Sequence, residues 1–213
     1  MEATRLIAVR HGETAWNVDT RIQGQLDIAL NDTGLWQARR AAQALQEEEI
    51  VAVYASDLSR AWQTAIEIAK PHGIEVTPEP GLRERAFGLF EGRTFAEIDA
   101  TMPREARLWR TRDPEFTPEG GKSLLTFRDR VTQVAARLAA RHPGGLVLMV
   151  AHGGVMDVLY RVATGQELQA PRTWQLGNAA INRLLWTPQG MTLVGWADIA
   201  HLAEANVRDE TSG

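Results

Sequence analysis

The sequence predicts an α/β fold of three layers, in which a mostly parallel sheet lies between two layers of helices. Three short runs of apolar residues, 6–9, 51–55 and 145–151, supply the first observation. Their apolarity is continuous rather than alternating, which is typical of parallel strands covered on both faces. The second observation is that longer segments with helical periodicity separate these runs, and this order favours β-α-β units.

Three helices are predicted, each by an apolar face that recurs every three to four residues. They span residues 32–49, 58–72 and 123–142. Each also begins near a polar residue whose side-chain oxygen can accept an otherwise unpaired amide hydrogen of the first turn. The predicted N-caps are Asn31 or Asp32 for the first helix, Asp57 for the second and Ser123 for the third.

The remaining segments predict a late hairpin and an irregular insertion. Residues 181–186 and 191–196 flank a turn at 187–190, as in a β-hairpin. The segment from about residue 78 to 121 is rich in Pro, Gly, Arg and Glu, and we interpret it as a lid-like insertion over a site. The length of 213 residues predicts a single domain, 1–213, and we expect its tail, 206–213, to be frayed.

Composition excludes several classes of protein. Hydrophobic residues make up 44% of the chain and charged residues 23%, which indicates a folded protein with a substantial core. No apolar run approaches the roughly 18 residues of a membrane helix, and the N-terminal segment lacks the pattern of a secretory signal, so we expect a cytoplasmic protein. The absence of cysteine excludes disulfides, thiolate metal sites and cysteine nucleophiles. A net charge of −4 without a basic block argues against nucleic-acid binding.

Two histidines follow two of the predicted strands. Arg10-His11-Gly12 comes directly after the first strand, and His152-Gly153-Gly154 follows the strand at 145–151. Ligand sites of open α/β sheets lie outside the carboxyl ends of parallel strands, so both imidazoles are expected at one edge of the sheet. A single histidine in such a position is more often a hydrogen-bonded structural residue, but two in equivalent positions favour a shared site.

Two further segments carry charged residues with less specific meaning on their own. Arg60 lies in the first turn of the second predicted helix, where a solvated side chain is the ordinary interpretation. Glu84 lies between Arg83 and Arg85 in a loop-like stretch, where a surface ion pair of little energetic value is the ordinary interpretation.

Taken together, these four segments resemble the histidine phosphatase superfamily, which includes the cofactor-dependent phosphoglycerate mutases. The resemblance runs from about residue 6 to 196, and Arg10-His11-Gly12 with Glu13-Thr14 and Trp16-Asn17 is its most specific part. It implies a phosphoglycerate mutase-like fold and makes His11 the nucleophile, which carries the transferred phosphoryl group as phosphohistidine. Because only neutral imidazole attacks, it matters that cationic Arg10 and Arg60 should lower the pKa of His11.

The resemblance also assigns roles to the surrounding residues. Arg10, Arg60 and His152 become the donors that bind phosphoryl oxygens and stabilise the charge of the transition state. Glu84 becomes the general acid, which must carry a proton despite its arginine neighbours. The remaining substrate-binding positions implied by the resemblance are Asn17, Gln23, Gly24 and Gly153.

The segment after Gly88 decides between two activities of the family. The mutases have a longer insertion there, with a lysine and two consecutive arginines that hold the substrate carboxylate, whereas Phe95 and Arg110-Thr111 stand at the approximate matches here. We therefore expect a metal-independent phosphomonoester hydrolase of small phosphorylated metabolites, with no cofactor. A glycolytic phosphoglycerate mutase, which would use 2,3-bisphosphoglycerate, is the alternative. The stretch 117–123 resembles a Pro-Glu-Gly-Glu-Ser motif of two phosphatase branches, with Gly121-Lys122 in place of the second Glu.

Two other interpretations have less support. A metal hydrolase could use His11, His152 and Glu84 as ligands, but adjacent Arg10 and Arg60 would repel a metal cation. A non-catalytic phosphoester-binding module would be expected to lack one of the catalytic residues, and none is missing. The expected partner is a small-molecule phosphoester, without nucleic acid or membrane, and a homodimer is a further expectation.

Overall fold

The computed structural model describes residues 2–203, and their six strands form one sheet in the order β3-β2-β4-β1-β5-β6. The strands are β1 (Thr4–Arg10), β2 (Ile50–Ala55), β3 (Val76–Pro78), β4 (Leu146–Ala151), β5 (Ile181–Thr187) and β6 (Gly190–Asp198). The pairs β3/β2, β2/β4 and β4/β1 are parallel, and β5 and β6 add an antiparallel hairpin to the edge of β1. The predicted α/β fold with a mostly parallel sheet is confirmed.

Seven helices accompany the sheet within the described residues. They are α1 (Ala15–Val18), α2 (Asp32–Leu45), α3 (Ser59–Ala69), α4 (Phe95–Thr101), α5 (Pro103–Arg110), α6 (Leu124–Ala139) and α7 (Gly153–Thr164). The three predicted helices are present as α2, α3 and α6, with slightly later starts or earlier ends than predicted. Helix α2 ends at Leu45 rather than at residue 49. No helix of residues 2–203 has the length and apolarity needed to cross a bilayer.

Strand β1 lies between the two helical layers. On one face, Leu6 and Ala8 pack in a core with residues of α6 and α7, and on the other face Ile7 and Val9 pack in a core with residues of α2 and α3. All four side chains are essentially inaccessible to solvent. This explains the continuous apolar run, because successive strand residues point to opposite faces and both faces are covered.

Two of the predicted N-caps are confirmed and one is wrong. The side chain of Asn31 accepts from the Gly34 amide at the start of α2, and Ser123 accepts from the Thr126 amide at the start of α6. Asp57 does not cap α3. Its carboxylate instead binds the Arg83 guanidinium through two hydrogen bonds of 2.7 and 2.6 Å.

The first turn of α3 is completed by a distant residue in place of Asp57. The Asp27 carboxylate accepts from both the amide and the hydroxyl of Ser59, at 2.7 and 2.8 Å. Asp27 lies in a loop that is far away in sequence, so no local pattern could indicate it. This long-range contact fixes the start of the helix that carries Arg60.

Helix α7 was not predicted, although it begins directly after His152. Its first two residues, Gly153 and Gly154, are poor helix formers, and its buried residues include Val155, Val158 and Leu159. Its amino terminus lies at the carboxyl end of β4, where amides without a partner inside the helix and the positive end of the helix dipole favour an anion.

The predicted insertion lies above this edge of the sheet. It contains α4 and α5, and it has a small core of its own made by Phe90, Ile98 and Ala106. Its division from the rest of the chain, and the single-domain organisation, stay predictions. The predicted hairpin is present as β5 and β6, whereas the predicted frayed tail at 206–213 lies outside the described residues.

Candidate active site

His11 and His152 meet at the carboxyl ends of β1 and β4, as the parallel pairing of these strands requires. Their ring centroids are 5.3 Å apart, and the rings are inclined by 59°. Both residues are buried, with 3% and 0% of their surfaces exposed. The backbone continues the strand pairing at this point, since the His11 amide donates to the Ala151 carbonyl oxygen at 2.9 Å.

The tautomer of His11 is fixed by its neighbour in the chain. Its Nδ1 atom lies 2.7 Å from the Gly12 carbonyl oxygen, which can only accept, so Nδ1 carries the proton and Nε2 keeps the lone pair. Burial holds the pKa of His11 well below its usual range, and the positive charges of Arg10 and Arg60 lower it further. The imidazole is therefore neutral and its Nε2 atom is available as a nucleophile.

His152 is held in the complementary orientation. Its Nε2 atom lies 2.8 Å from the Ser56 hydroxyl at the carboxyl end of β2, whereas its buried Nδ1 atom has no hydrogen-bond partner within residues 2–203. Burial, with contributions from Arg60, His11 and Arg10, lowers the pKa of His152 well below its usual range. The Ser56 oxygen already accepts from the Leu58 amide at 3.3 Å, which favours donation of its own proton to Nε2 of His152; the proton of the neutral ring then lies on Nδ1, which makes His152 a hydrogen-bond donor.

Arg60 is locked by the loop that precedes α2. Its two terminal nitrogens donate to the carbonyl oxygens of Leu26 and Gly24, at 2.9 and 2.7 Å. Only 1% of the residue is exposed, and its Nε atom makes no hydrogen bond within the described residues. Gly24 adopts a positive φ of 54°, and a Cβ there would lie 2.1 Å from the Glu91 carboxylate. Glycine adopts this conformation without strain and leaves room for the Glu91 carboxylate beside the loop that binds Arg60.

Arg10 is the second guanidinium of the site. One terminal nitrogen donates to the Leu176 carbonyl oxygen, and its buried Nε atom is unpaired within residues 2–203. Burial lowers the pKa of Arg10 to about 10, although the Glu84 carboxylate raises it, so the guanidinium stays charged at neutral pH.

Three buried donors thus surround the neutral imidazole of His11. They are Nε of Arg10, Nε of Arg60 and Nδ1 of His152, none of which has a hydrogen-bond partner in the described part of the chain. A buried unpaired donor costs about 1–3 kcal/mol, so three of them in one site indicate a ligand that supplies acceptors. Two are guanidinium groups, which favour an anion with several oxygens, such as a phosphoryl group.

Glu84 stands at the amino terminus of α7. Its two carboxylate oxygens accept from the amides of Gly154 and Arg85, at 2.9 and 2.7 Å. Its carbonyl oxygen accepts from Gln25 and from Arg130, both at 3.1 Å. Two long side chains therefore fix the backbone of Glu84, while helix α7 fixes its carboxylate.

Two glycines allow this close packing. A Cβ on Gly154 would lie 2.2 Å from the Glu84 carboxylate, and a Cβ on Gly12 would lie 2.4 Å from the Gly34 carbonyl oxygen. At Gly12 the neighbouring atom belongs to the backbone of α2, so a larger residue does not fit, whereas at Gly154 a larger residue would displace the Glu84 carboxylate. The glycine of the Arg10-His11-Gly12 segment is thus required by the backbone of α2.

The other predicted binding residues lie around this centre, with different partners. Asn17 uses its side-chain oxygen to cap α1 and to accept from Asn178, whose amide group also donates to the His11 carbonyl oxygen at 3.0 Å. Gln23 is buried, and its side-chain oxygen is unpaired within residues 2–203. Gly153 is the first residue of α7, and a Cβ there would lie 3.4 Å from Nε of Arg10.

The residues proposed as metal ligands are not arranged for that purpose. Within residues 2–203, no group of three or more His, Asp or Glu side chains is placed to hold a metal ion. His11, His152 and Glu84 therefore do not form the ligand set that a metal hydrolase needs, and cationic Arg10 and Arg60 oppose one electrostatically.

Ser56 and Arg130 were not assigned a role from the sequence. Ser56 was part of the segment that contains Arg60, and its place at the end of β2 was the available signal. Arg130 lies on α6 and binds the carbonyl oxygens of Arg83 and Glu84. Nothing in the periodicity of α6 separates it from the other arginines of that helix.

A cavity of about 470 Å³ adjoins Glu84 under the insertion. Aromatic side chains form one part of its lining: Phe87, Phe95, Trp109, Phe116 and Phe127. The Trp109 ring lies in the middle, with its centroid 4.7 Å from that of Phe87 and 5.8 Å from that of Phe95. The cavity therefore has the position and the size to hold the alcohol part of a phosphoester.

Comparison with known proteins agrees with this geometry. A family model described as the histidine phosphatase superfamily (branch 1) matches residues 6–199. The chain belongs to the histidine phosphatase superfamily. The predicted family is thereby confirmed, and the match covers both histidines, the two guanidinium groups and Glu84.

Individual members of the superfamily resemble the chain over most of its length. A metal-independent phosphoserine phosphatase of Arabidopsis thaliana is 38% identical, covering 95% of this chain and 84% of its own length. A glucosyl-3-phosphoglycerate phosphatase of Mycobacterium tuberculosis is 36% identical, covering 88% and 89%. The crystal structure of a phosphoserine phosphatase variant of Entamoeba histolytica, in complex with phosphoserine, superposes with a TM-score of 0.85, at 28% identity over 94% of this chain and 100% of that one. Other relatives are named probable phosphoglycerate mutases.

Proposed function

We propose that this protein is a metal-independent phosphomonoester hydrolase that acts on small phosphorylated metabolites through a phosphohistidine intermediate. The observation that carries the proposal is the set of three buried, unpaired donors from Arg10, Arg60 and His152 around the neutral imidazole of His11. Membership of the superfamily and the phosphatase names of the similar proteins support it.

In the first half of the reaction, Nε2 of His11 attacks the phosphorus atom of the bound ester. The P–N bond forms as the bond from phosphorus to the alcohol oxygen breaks, and Glu84 supplies the proton that the leaving oxygen needs. The oxygens of the transferred phosphoryl group carry most of the negative charge in the transition state. The guanidiniums of Arg10 and Arg60 and the His152 ring stabilise this charge. The alcohol then leaves toward the cavity beside Glu84.

In the second half, water attacks the phosphohistidine. Glu84, now a carboxylate, accepts a proton from this water, while the P–N bond breaks and inorganic phosphate is released. In this step the amides of Gly154 and Arg85, which donate to the two Glu84 oxygens, hold the carboxylate in place. His11 returns to its starting state with the proton of Nδ1 still donated to Gly12, so the enzyme completes the cycle without a net change.

The mutase alternative differs only in the acceptor of the phosphoryl group. A phosphoglycerate mutase would pass it to a bound phosphoglycerate instead of to water, and the 2,3-bisphosphoglycerate so formed would return one of its two phosphoryl groups to His11. The names of some relatives favour this reaction. Hydrolysis is favoured because Phe95 and Arg110-Thr111 occupy the approximate positions of the mutase cations.

Several properties belong to the same proposal. We expect the enzyme to need neither a metal nor an organic cofactor, and its partner to be the small phosphoester itself rather than nucleic acid or a membrane. We further expect it to act in the cytoplasm and to form a homodimer.

The proposal is tested by assaying phosphate release from p-nitrophenyl phosphate and 3-phosphoglycerate in the presence of EDTA. The wild-type enzyme should release phosphate at an undiminished rate, and the His11→Ala variant should release none. A parallel assay for phosphoglycerate isomerisation, with 2,3-bisphosphoglycerate added, measures the alternative. Isomerisation without net phosphate release, or activity that EDTA removes, would refute the proposal.

A further inference from the structure

The wall of the cavity beside Glu84 carries an excess of positive charge. Four arginines line it: Arg85, Arg110, Arg112 and Arg172. Three carboxyl groups line it as well: Glu84, Asp113 and Asp157. Because Glu84 belongs to the catalytic centre, the other groups decide which leaving alcohol the cavity accepts.

The two remaining carboxylates are already engaged within the protein. Asp157 is buried and accepts from Arg112 at 2.7 Å and from Arg161 at 3.0 Å, so two guanidiniums offset its charge. Asp113 accepts from the backbone amides of Glu115 and Phe116. Within residues 2–203, neither carboxylate forms an ion pair with Arg85 or Arg172, so no direct contact with them neutralises these two guanidiniums.

The arginines differ in how many donors they have left. Arg85 and Arg112 each use Nε and Nη2 for internal bonds, which leaves Nη1 without a partner within residues 2–203. Arg110 binds Asp99, which does not line the cavity. Arg172 is an exposed residue that makes no hydrogen bond or ion pair within residues 2–203, so the protein engages none of its donors there.

Arg85 is the most deeply placed of the four. It is buried, with 7% of its surface exposed, and burial lowers its pKa to about 10, which still leaves it charged at neutral pH. A buried guanidinium with a free donor that lines a cavity gains most from an anion, because its own solvation has already been lost.

Arg172 connects this cavity with the catalytic centre. It lies in the loop between α7 and β5, and it also lines a second cavity together with Arg10, Gly153 and Gly154. Its charge lowers the pKa of Arg10, so the two guanidiniums are within electrostatic range of each other. Arg172 is thus next to the phosphoryl site without belonging to the set of buried donors around His11.

We propose that Arg172, with the free donors of Arg85 and Arg112, forms a second anion subsite, which selects phosphoesters whose leaving alcohol itself carries a carboxylate or a phosphate. This inference rests on the proposed hydrolytic function. Phe95 and Arg110-Thr111, the approximate matches to the mutase cations, do not supply the cations that hold a substrate carboxylate. In this proposal, the arginines of the cavity wall bind the second anion of the substrate instead. The aromatic lining then contacts the carbon skeleton between the two anions.

Arg172 is the residue to substitute, because Arg85 and Arg112 also hold backbone carbonyl groups. The test compares kcat/KM within two matched pairs of substrates. In 3-phosphoglycerate and glycerol 3-phosphate, a carboxylate replaces a hydroxymethyl group. In fructose 1,6-bisphosphate and fructose 6-phosphate, a second phosphate is present or absent. If kcat/KM is higher for 3-phosphoglycerate in the first pair but equal within the second pair, the subsite binds carboxylates. If kcat/KM is higher for the doubly anionic member of both pairs, the subsite binds either anion.

The wild-type enzyme should prefer the doubly anionic member of at least one pair by about tenfold or more, which is the usual effect of charge-assisted hydrogen bonds. Arg172→Gln should remove most of this preference, because kcat/KM should fall much more for the doubly anionic member of a pair than for the singly anionic member. Arg107→Gln removes the same charge from an exposed position on α5 and should preserve the preference. If Arg172→Gln lowered kcat/KM by the same factor for both members of a pair, Arg172 would instead bind the transferred phosphate. That result would overturn the subsite.

A binding measurement separates this inference from the proposed function. Calorimetry on the His11→Ala variant, with and without Arg172→Gln, gives the affinities of 3-phosphoglycerate and glycerol 3-phosphate without turnover. A preference that Arg172→Gln abolishes supports the subsite even when the wild-type enzyme hydrolyses nothing, and only the hydrolase proposal then fails. Equal affinities of the two compounds for the His11→Ala variant would overturn the carboxylate subsite, and the bisphosphate pair tested in the same way decides for phosphate.

Discussion

The Nδ1 atom of His11 lies 2.7 Å from the carbonyl oxygen of Gly12, the next residue in the chain. A carbonyl oxygen cannot donate, so this contact places the ring proton on Nδ1 and leaves Nε2 with its lone pair. Gly12 is itself fixed, because its amide donates to the Thr64 hydroxyl on α3 and because the backbone of Gly34 leaves no space for a Cβ. Two successive residues thus fix the orientation of the His11 ring and leave Nε2 as the reactive atom of the proposed nucleophile.

The first prediction concerns the protonation of His11. Burial and the charges of Arg10 and Arg60 lower its pKa, so the ring should stay neutral as the pH falls from 8 through the usual histidine range near 6.5. Nitrogen NMR of the side chain should show a proton on Nδ1 and no titration between pH 8 and about 6. A His11 resonance that titrates with a pKa near or above 6.5 would contradict the account.

The lowered pKa values of His11 and His152 should also make the stability of the folded protein depend on pH. In the unfolded chain both His11 and His152 take up protons as the pH falls below about 6.5, whereas in the folded protein their lowered pKa values prevent this. The free energy of unfolding should therefore decrease as the pH falls below this value. Urea unfolding at pH 7.5 and 5.5 measures the difference in the free energy of unfolding, and this difference should be smaller in the His152→Asn variant. An equal difference in that variant would show that His152 does not contribute to the pH dependence.

The Glu84→Gln substitution tests the role of Glu84 as general acid. Glu84→Gln keeps the size of the side chain but cannot donate a proton from a carboxyl group, so it should slow hydrolysis of an alkyl phosphate about 10²–10⁴-fold. The effect on p-nitrophenyl phosphate should be much smaller in the first step, because nitrophenolate leaves without a proton. Burst kinetics with the two substrates separate that step from attack of water. An equal loss in the first step with both would argue against proton donation by Glu84.

Arg60→Lys tests the guanidinium geometry. Lysine keeps the charge, but its three N–H donors share one nitrogen, which cannot take the positions of Nη1 and Nη2 at the carbonyl oxygens of Leu26 and Gly24 and also the position of Nε. We expect kcat/KM to fall about 10- to 100-fold, corresponding to one or two charge-assisted hydrogen bonds. Circular dichroism and thermal unfolding control for the fold. Unchanged kinetics in the lysine variant would mean that charge alone is required.

Gly154→Ala tests the contact between α7 and Glu84. The added Cβ would lie 2.2 Å from the carboxylate, so Glu84 must move away from the helix terminus. Activity should drop at least tenfold, as is usual when a catalytic group is displaced by about 1 Å. Gly195→Ala is the matched control, since its Cβ would meet only Arg183, at 4.0 Å. Full activity in the Gly154→Ala variant would show that the precise position of Glu84 is unimportant.

Strands β1, β2 and β4, the hairpin and the position of the two histidines could be predicted because their signals are local, whereas the three-residue strand β3 was not predicted. Burial on both faces produces the continuous apolar runs of β1, β2 and β4, and a parallel arrangement brings the residues after them together. Helix α7 escaped prediction since it starts with two glycines, and because its burial weakens the contrast between apolar and polar faces.

Contacts between distant segments could not be predicted. The start of α3 depends on Asp27, which is 32 residues away from Ser59, so assignment of the cap to nearby Asp57 was wrong. The cavity wall combines Arg85, Arg112 and Arg172 from three separate loops. Their sequence neighbourhoods have no common pattern, and only the tertiary fold places their charges around one cavity.

The most direct test of the account is to trap the phosphorylated enzyme and identify the modified atom. The wild-type protein is mixed with p-nitrophenyl phosphate and quenched in base within the first turnover, and the peptide that contains His11 is analysed by mass spectrometry and phosphorus NMR. We expect acid-labile phosphate on Nε2 of His11, because Nδ1 is hydrogen-bonded to the Gly12 carbonyl oxygen. Phosphate on Nδ1 or on His152, or rapid turnover without any phosphorylated enzyme, would contradict it.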